Sequence, residues 1–272
     1  MQYNGKNYFI PWYATSALTF YNKTKGTPLK TYNEIFELCH NGKKNLIMFN
    51  FAENDSMLKL LVKYGINSPE NINSQQAINL FQTMQEAYTS GCFPKESLTQ
   101  THRESLEKFM AGETTYFEGG SNFLNLIKEN APQTFGKTAL ANQLTGETGK
   151  YNFSMMNFII PLKSKHQTEA LKFALFLTNE ENQLELAKLT NVLATNEKAL
   201  NNDFYKDKNG DIFATARRLS AEQLKNIQPQ PFYPNRKEII TLINNATQKI
   251  LLKQDSVENV LNKLKSDWEK LQ

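Results

Sequence analysis

The sequence predicts an α/β protein arranged as two lobes. Length is the first reason: 272 residues, 40% of them apolar and 11% aromatic, can bury one large core or two smaller ones, and a chain of this size favours two. The second is the alternation of short β-branched or aromatic runs with stretches of helical periodicity. The third is punctuation, because several helical stretches open on capping residues and stop at glycine or asparagine.

Residues 4–23, read N-G-K-N-Y-F-I-P-W-Y-A-T-S-A-L-T-F-Y-N-K, organise the rest. They predict two short strands, 8–10 and 18–21, separated by a small, polar crossing at 14–17. Pro11 has no N–H for a central ladder and ends the first strand. Trp12 and Tyr13 then fall at a strand end, where a ring either faces a cleft or joins the core; both remain open. Thr31 and Glu34 form a capping box for a helix to about His40, stopped by Asn41-Gly42. Residues 45–51 read as a strand running into a polar turn at 52–55 that caps a helix over 56–64. Residues 74–90 carry Ala77, Phe81, Met84 and Tyr88 on one stripe and stop at Gly91, which marks a helix packed on a core.

A short buried strand through Thr115, Tyr116 and Phe117 leads to Gly119-Gly120-Ser121-Asn122 and a helix from about Phe123. The glycines allow close backbone approach, and the helix start offers free N–H groups to a polar ligand; a tight turn explains the pair as well. Residues 131–151 are loop-rich. Within the apolar run 153–162, Met155 and Met156 read as core in preference to ligand-lining. Helices follow from Thr168 and again after the cap Asn179. Residues 203–211 are rich in side-chain oxygens, but Gly210 is misplaced for a calcium loop and Arg218 stands at its twelfth position. They predict a surface turn of hairpin type around Asn209-Gly210. A proline-stiffened loop, 228–234, precedes a long helix over 235–252. Asp255 to Glu258 cap a last helix whose Val257, Val260, Leu261, Leu264 and Trp268 make a core stripe.

Composition narrows the function. The formal charge is +4, from 31 basic and 27 acidic side chains, with no long block of one sign, so no nucleic acid is expected as a partner. No run reaches the roughly 18 apolar residues of a membrane span. Residues 1–25 show no charged segment followed by an apolar run, so the sequence as written carries no export signal. His40, His102 and His166 are scattered, and no paired carboxylates or phosphate loop appear. The expectation is a binding protein without catalytic residues, metal or cofactor. Cys39 and Cys92 fit no metal or redox spacing and read as two free, partly buried thiols, able to pair only if the fold brings them together.

The motifs carry a resemblance. I-P-W-Y at 10–13 and L-T-F-Y-N-K at 18–23, followed by Pro28, Thr31, Tyr32 and Glu34, resemble the first lobe crossing of bacterial extracellular solute-binding proteins of family 1, the maltose or sugar type of ABC importer receptor. Phe109, Gly112, Thr115, Tyr116 and Phe117 match a later family string. Residues 153–165 resemble the second crossing, and Phe173, Phe176, Leu177, Thr178, Glu181 and Gln183 match the most specific string. The resemblance implies a periplasmic-binding-protein-like (type II) two-lobe α/β fold. It also implies a monomeric receptor at a periplasmic or cell-surface location, binding a small-molecule ligand, a sugar or oligosaccharide, between its lobes. Its further partners would be ABC permease membrane subunits.

The cleft residues expected are Trp12, Tyr13, Thr15, Glu53, Gly120, Ser121, Asn122 and Tyr233. Glu53 falls where maltose-binding members place a sugar-contacting carboxylate; a helix-start charge favoured by the macrodipole explains it equally. Ser121 and Asn122 replace the aromatic that many members stack on a sugar ring. The pattern also begins inside the family's, with about 100 residues of opening strands and helices missing. The expected division is a complete C-terminal lobe, 17–155 with 207–272, and a truncated N-terminal lobe, 1–16 with 156–206. The alternative is a truncated, non-transport interaction or regulatory scaffold derived from that fold.

Overall fold

A computed structural model describes every residue except Met1, Asn4, Gly5, 52–54, Asn209, 229–230 and Gln272, and only the backbone at 2–3 and 6–7. The elements in order are β1 (Gln2–Tyr3), β2 (Lys6–Asn7), β3 (Ile10–Asn22), α1 (Tyr32–His40), α2 (Ser56–Lys63), α3 (Gln75–Thr89), α4 (His102–Met110), β4 (Tyr116–Gly120), α5 (Phe123–Asn130), α6 (Pro132–Lys137) and β5 (Thr138–Asn142). Then follow β6 (Phe153–Phe158), α7 (Gln167–Leu177), α8 (Glu180–Thr190), β7 (Leu193–Ala194), α9 (Glu197–Leu200), α10 (Ile212–Gln223), α11 (Arg236–Leu251) and α12 (Val257–Glu269).

Strand β3 belongs to two groups of partners. Its second half pairs antiparallel with β4, from Ala17 opposite Gly120 to Tyr21 opposite Tyr116, and with β5, from Leu18 opposite Asn142 to Asn22 opposite Thr138. Its first half pairs with β6, from Ile10 opposite Phe158 to Ser16 opposite Phe153, and with β7 at Tyr13 and Ala14. The two strands expected at 8–10 and 18–21 are therefore one, 13 residues long. Pro11 does not end it. The register slips between Pro11 and Tyr13, an irregularity that accommodates a residue with no N–H to give.

Three apolar clusters pack around this strand. The largest gathers α1, α2, α3, α11 and α12, with Ile35, Leu61, Phe81, Ile243 and Trp268 inside. The predicted stripes account for it: Ala77, Phe81 and Met84 of α3 are buried, as are Val257, Val260, Leu261, Leu264 and Trp268 of α12. The second packs Leu18 and Phe20 against Phe109, Phe117, Leu124 and Ala216. A third, small cluster of Ala14, Ala187, Leu193, Ala194, Ala199 and Tyr205 covers the first half of β3. Helix α10 serves both of the smaller clusters, through Ala216 and Ala221.

The caps form as read. Thr31 Oγ1 accepts from the Glu34 amide at 3.2 Å while the Glu34 carboxylate accepts from the Thr31 amide at 2.9 Å. Asn179 and Ser256 accept from Asn182 and Asn259 at 2.8 and 3.2 Å. The last residue of α8 is followed by Asn191 in the left-handed region, φ 59°, which asparagine tolerates better than most side chains.

Several expectations fail. Cys39 and Cys92 are not free thiols: the end of α1 and the residue beyond the Gly91 stop of α3 lie side by side, and the two sulfurs form a disulfide with Cα atoms 5.3 Å apart. Residues 45–51 form no strand. Asn45 has φ 49°, and the Leu46 carbonyl accepts from both the Thr115 and the Tyr116 amides, which leaves only an isolated bridge between Ile47 and Tyr116. Gly119 and Gly120 lie within β4 instead of a turn. Met156 is 52% exposed and lies outside the core. The expected hairpin around residues 209–210 is replaced by a cap: Asp211 accepts from the Phe213 and Ala214 amides and starts α10, while Asn209 itself lies outside the described residues. Among the described residues no group of His, Cys, Asp or Glu could hold a metal ion.

Candidate functional site

A cleft of about 440 Å³ opens at the point where β3 changes partners. Thr15, Ser16 and Ala17 of the crossing form one wall, and Gly119, Gly120, Asn122 and Phe123 form another. Gly119 is required by packing, because a Cβ there would run into the rings of Phe117 and Phe123. The aromatic lining comes from Tyr32, Phe49, Phe51, Phe123 and Phe153, the polar lining from Asn50, Gln143, Asn152 and Ser154 among others. Phe49 is held edge-on against Phe93 at 4.8 Å and stacked with Phe51 at 5.5 Å.

The lining includes a buried ionic relay. Lys63, 2% exposed, donates to the Leu144 carbonyl at 2.5 Å and to the Tyr32 hydroxyl at 3.2 Å. Tyr32 in turn donates to Glu118 Oε2 at 2.6 Å, and Glu118 Oε1 accepts from the Leu144 amide at 3.1 Å. The Lys63 ammonium also lies 4.9 Å from the Tyr32 ring centroid. Burial pushes the Lys63 pKa down to about 8, helped by Lys59 and opposed by Glu118. Burial and the adjacent Glu118 charge raise that of Tyr32. Above this relay, the His102 ring nitrogen Nε2 lies 2.7 Å from the Glu118 carbonyl oxygen.

Of the residues expected from the sequence, Thr15, Gly120 and Asn122 line this cleft. Asn122 precedes α5 without capping it. Tyr13 and Ser121 line an adjoining cavity of about 340 Å³, whose walls include Thr15, Ser16 and Asn122 as well. The Ser121 hydroxyl there donates to the Asn191 carbonyl at 3.0 Å. Trp12 lies outside both linings, packed at 4.9 Å against Tyr13 and Phe158. Tyr233 is remote too: its hydroxyl donates to the Asn67 carbonyl at 2.7 Å and its ring meets Trp268 edge-on. Burial pushes its pKa up to about 12. Glu53 lies outside the described residues.

Sequence reasoning missed Tyr32, Phe49, Lys63 and Phe153. Lys63 left a signal, since it closes a run, M-L-K-L-L-V-K, that is apolar apart from Lys59, on a helix where Met57, Leu60 and Leu61 are buried. The others left none, because Tyr32 and Phe49 read as cap and strand residues. A wider groove of about 1050 Å³ runs between α1 and α3. None of the sequence-predicted residues lines it.

The bacterial extracellular solute-binding protein profile matches residues 1–214. The chain belongs to that family. It is thus a solute-binding protein and not an enzyme. Solved structures share its periplasmic-binding-protein fold. One, named an oligosaccharide periplasmic-binding protein, from Synechococcus sp. MITs9220, superposes with a TM-score of 0.87 at 24% identity over 98% of this chain and 73% of its own. The maltose-binding periplasmic protein of Listeria monocytogenes in complex with maltose gives 0.77 at 20% over 99% and 73%. A maltose-bound protein of T. maritima gives 0.77 at 20% over 99% and 74%. No curated protein matches the chain significantly in sequence.

Proposed function

We propose that this solute-binding protein is the receptor of an ABC importer and that its ligand is a carbohydrate held in the cleft at the β3 crossing. The observation that carries the reading is the composition of that cleft: rings from Tyr32, Phe49, Phe123 and Phe153 beside hydroxyls and amides from Thr15, Ser16, Asn50, Asn122 and Asn152. Sugar rings offer apolar C–H faces and a rim of hydroxyls, and need both kinds of partner. The structural relatives that hold maltose support the same class.

Thr15, Gly120 and Asn122 contact the ligand directly in this reading, and Glu53, two residues after Phe51 in the sequence, adds a carboxylate acceptor. Tyr13 and Ser121 meet the part of a longer ligand that extends into the adjoining cavity. Phe123 takes the stacking role that Ser121 and Asn122 cannot fill. The lobes are 17–155 with 207–272 and 1–16 with 156–206. That division is supported by the change of β3 partners between Ser16 and Ala17, although α10 packs on both sides of it. Ligand entry shifts the population toward a closed arrangement, which the permease subunits bind. The protein acts as a monomer outside the cytoplasm, where the Cys39–Cys92 disulfide persists.

Thermal unfolding with millimolar maltose, other disaccharides, monosaccharides and polyols tests the assignment, since a ligand of the native state raises the transition. One carbohydrate class is expected to raise Tm, and Asn122→Ala or Phe123→Ala to reduce the shift. No shift with any of them overturns the carbohydrate reading.

A further inference from the structure

The relay of Lys63, Tyr32 and Glu118 brings to the cleft a group that the rest of its lining does not duplicate. Glu118 is the only carboxylate among the described residues that line the cleft. It stands third in β4, where Tyr116 and Phe117 before it are buried and it is half-exposed. Each of its oxygens accepts one bond from the protein, Oε1 from the Leu144 amide at 3.1 Å and Oε2 from the Tyr32 hydroxyl at 2.6 Å. An ionised carboxylate has about four acceptor sites, so about two remain on a side chain that the protein already holds in place. A plain counter-ion for Lys63 would touch it. Here the ammonium bonds to the Leu144 carbonyl and the Tyr32 hydroxyl, and the phenol stands between the two charges. The charges still act on each other, since Glu118 opposes the fall of the Lys63 pKa. Lys59, the other ammonium of the lining, is paired with Asp55 at 2.9 Å.

We infer that Glu118 is a specificity residue of the cleft, its remaining acceptor sites taking two adjacent hydroxyls of one sugar ring, with Tyr32 and Lys63 as the residues that position and balance it. The inference rests on the carbohydrate reading above and narrows it. Adjacent hydroxyls present two donors on one edge of a ring, and a carboxylate accepts both through charge-assisted bonds. Water leaves the carboxylate as the ring arrives, and a desolvated charge without a partner is costly. Lys63, one hydroxyl away behind Tyr32, supplies the balancing charge without occupying the sites that the ligand needs. The same arrangement sets the ligand's class. A ring bearing a carboxylate or phosphate at this edge meets a like charge and is rejected. A ring lacking one of the two hydroxyls leaves a desolvated carboxylate oxygen unpaired, which is the kind of loss that discriminates most strongly. The ligand's contacting ring is therefore uncharged at that edge and carries a hydroxyl pair.

Titration calorimetry on the wild type and Glu118→Gln tests this. The probe is whichever of maltose, glucose, galactose, mannose or the other sugars of the thermal panel raises Tm most, together with its monodeoxy forms. In the wild type, removal of a hydroxyl that meets Glu118 is expected to weaken binding by at least about tenfold. In Glu118→Gln the parent sugar is expected to bind at least about tenfold more weakly, and its advantage over that deoxy form to shrink to about threefold or less. A residue that only supports the fold would lower both affinities by one factor and keep the contrast, and that result overturns the inference. So does a parent affinity unchanged by Glu118→Gln. Where Glu118→Gln fails to fold because Lys63 is left unbalanced, Lys63→Met combined with Glu118→Gln removes both charges and is expected to show the same lost contrast; a contrast retained there overturns the inference equally. A wild type that binds no carbohydrate of the panel overturns the carbohydrate reading and this inference with it, whereas binding with the contrast retained in the variants overturns this inference alone.

Discussion

At the scale of single residues, Lys63 is the side chain with most consequence. Its ammonium is buried with a carbonyl and a phenol as direct partners, and the carboxylate of Glu118 is reached only through Tyr32. Folding lowers its pKa from 10.5 to about 8. Between those values the unfolded chain holds a proton that the folded one has released, so stability rises with pH across that window; below it both states carry the proton, and the cost of the buried charge is present in full without further pH dependence. Compared with Lys63→Met, the wild type is expected to gain about 2–3 kcal/mol between pH 8 and pH 10, as measured by urea unfolding at the two pH values. A constant difference would show that the buried amine keeps its ordinary pKa. Tyr233 makes the opposite kind of prediction. Tyr233→Phe removes the bond to Asn67 and should lower stability by about 1 kcal/mol while leaving ligand affinity unchanged. A loss of affinity would return Tyr233 to the cleft.

At the scale of elements, what the sequence discloses is what local chemistry determines. Helices α1, α3, α8 and α12 were legible because Thr31, Ser74, Asn179 and Ser256 each accept from an amide within their own first turn. Residues 45–51 were misread because their apolar content suits a strand, while their hydrogen bonds go to Cys92, Thr115 and Ser97 in three different segments. The disulfide was missed for the same reason: 53 residues separate its cysteines, and only the packing of α1 on α3 joins them. Closing a loop of that length predicts that Cys39→Ser with Cys92→Ser costs about 2–4 kcal/mol, read from the urea midpoint under oxidising conditions. A negligible change would mean that the thiols are unpaired in solution.

Gln183 performs a comparable task between elements. Buried on α8, it accepts from the Thr195 and Asn196 amides at 2.6 and 2.8 Å, and Thr195 reaches the Pro11 carbonyl at 3.0 Å. It matched a family string in the sequence, but its role as a clamp between α8 and β3 depends on where β7 returns. Gln183→Leu strands two half-buried amides and is expected to cost about 2–3 kcal/mol by chemical unfolding, whereas a merely space-filling residue would lose less than about 1.

For the whole molecule, the informative feature is that one strand serves two sets of partners. The residues where they change, Ser16 and Ala17, line the candidate cleft. The sequence disclosed the crossing through its small, polar residues at 14–17, and with it Thr15. It did not disclose the cleft's aromatic lining, because Phe49 and Phe153 come from segments distant in the chain that only the fold brings to β3. In the proposed reading a ligand bound there touches both halves at once and gains most when they approach, which would be the physical basis for closure. Amide hydrogen exchange, with and without the sugar that raises Tm most, should therefore show added protection on both sides of the crossing, at residues 13–17 and 119–123 and at 153–154, by about tenfold or more. Helices α11 and α12, whose buried faces lie in the main core, should exchange as before. Protection confined to 119–123 would mean that the ligand rests on one half without drawing in the other, and closure would then not be how this protein signals occupancy.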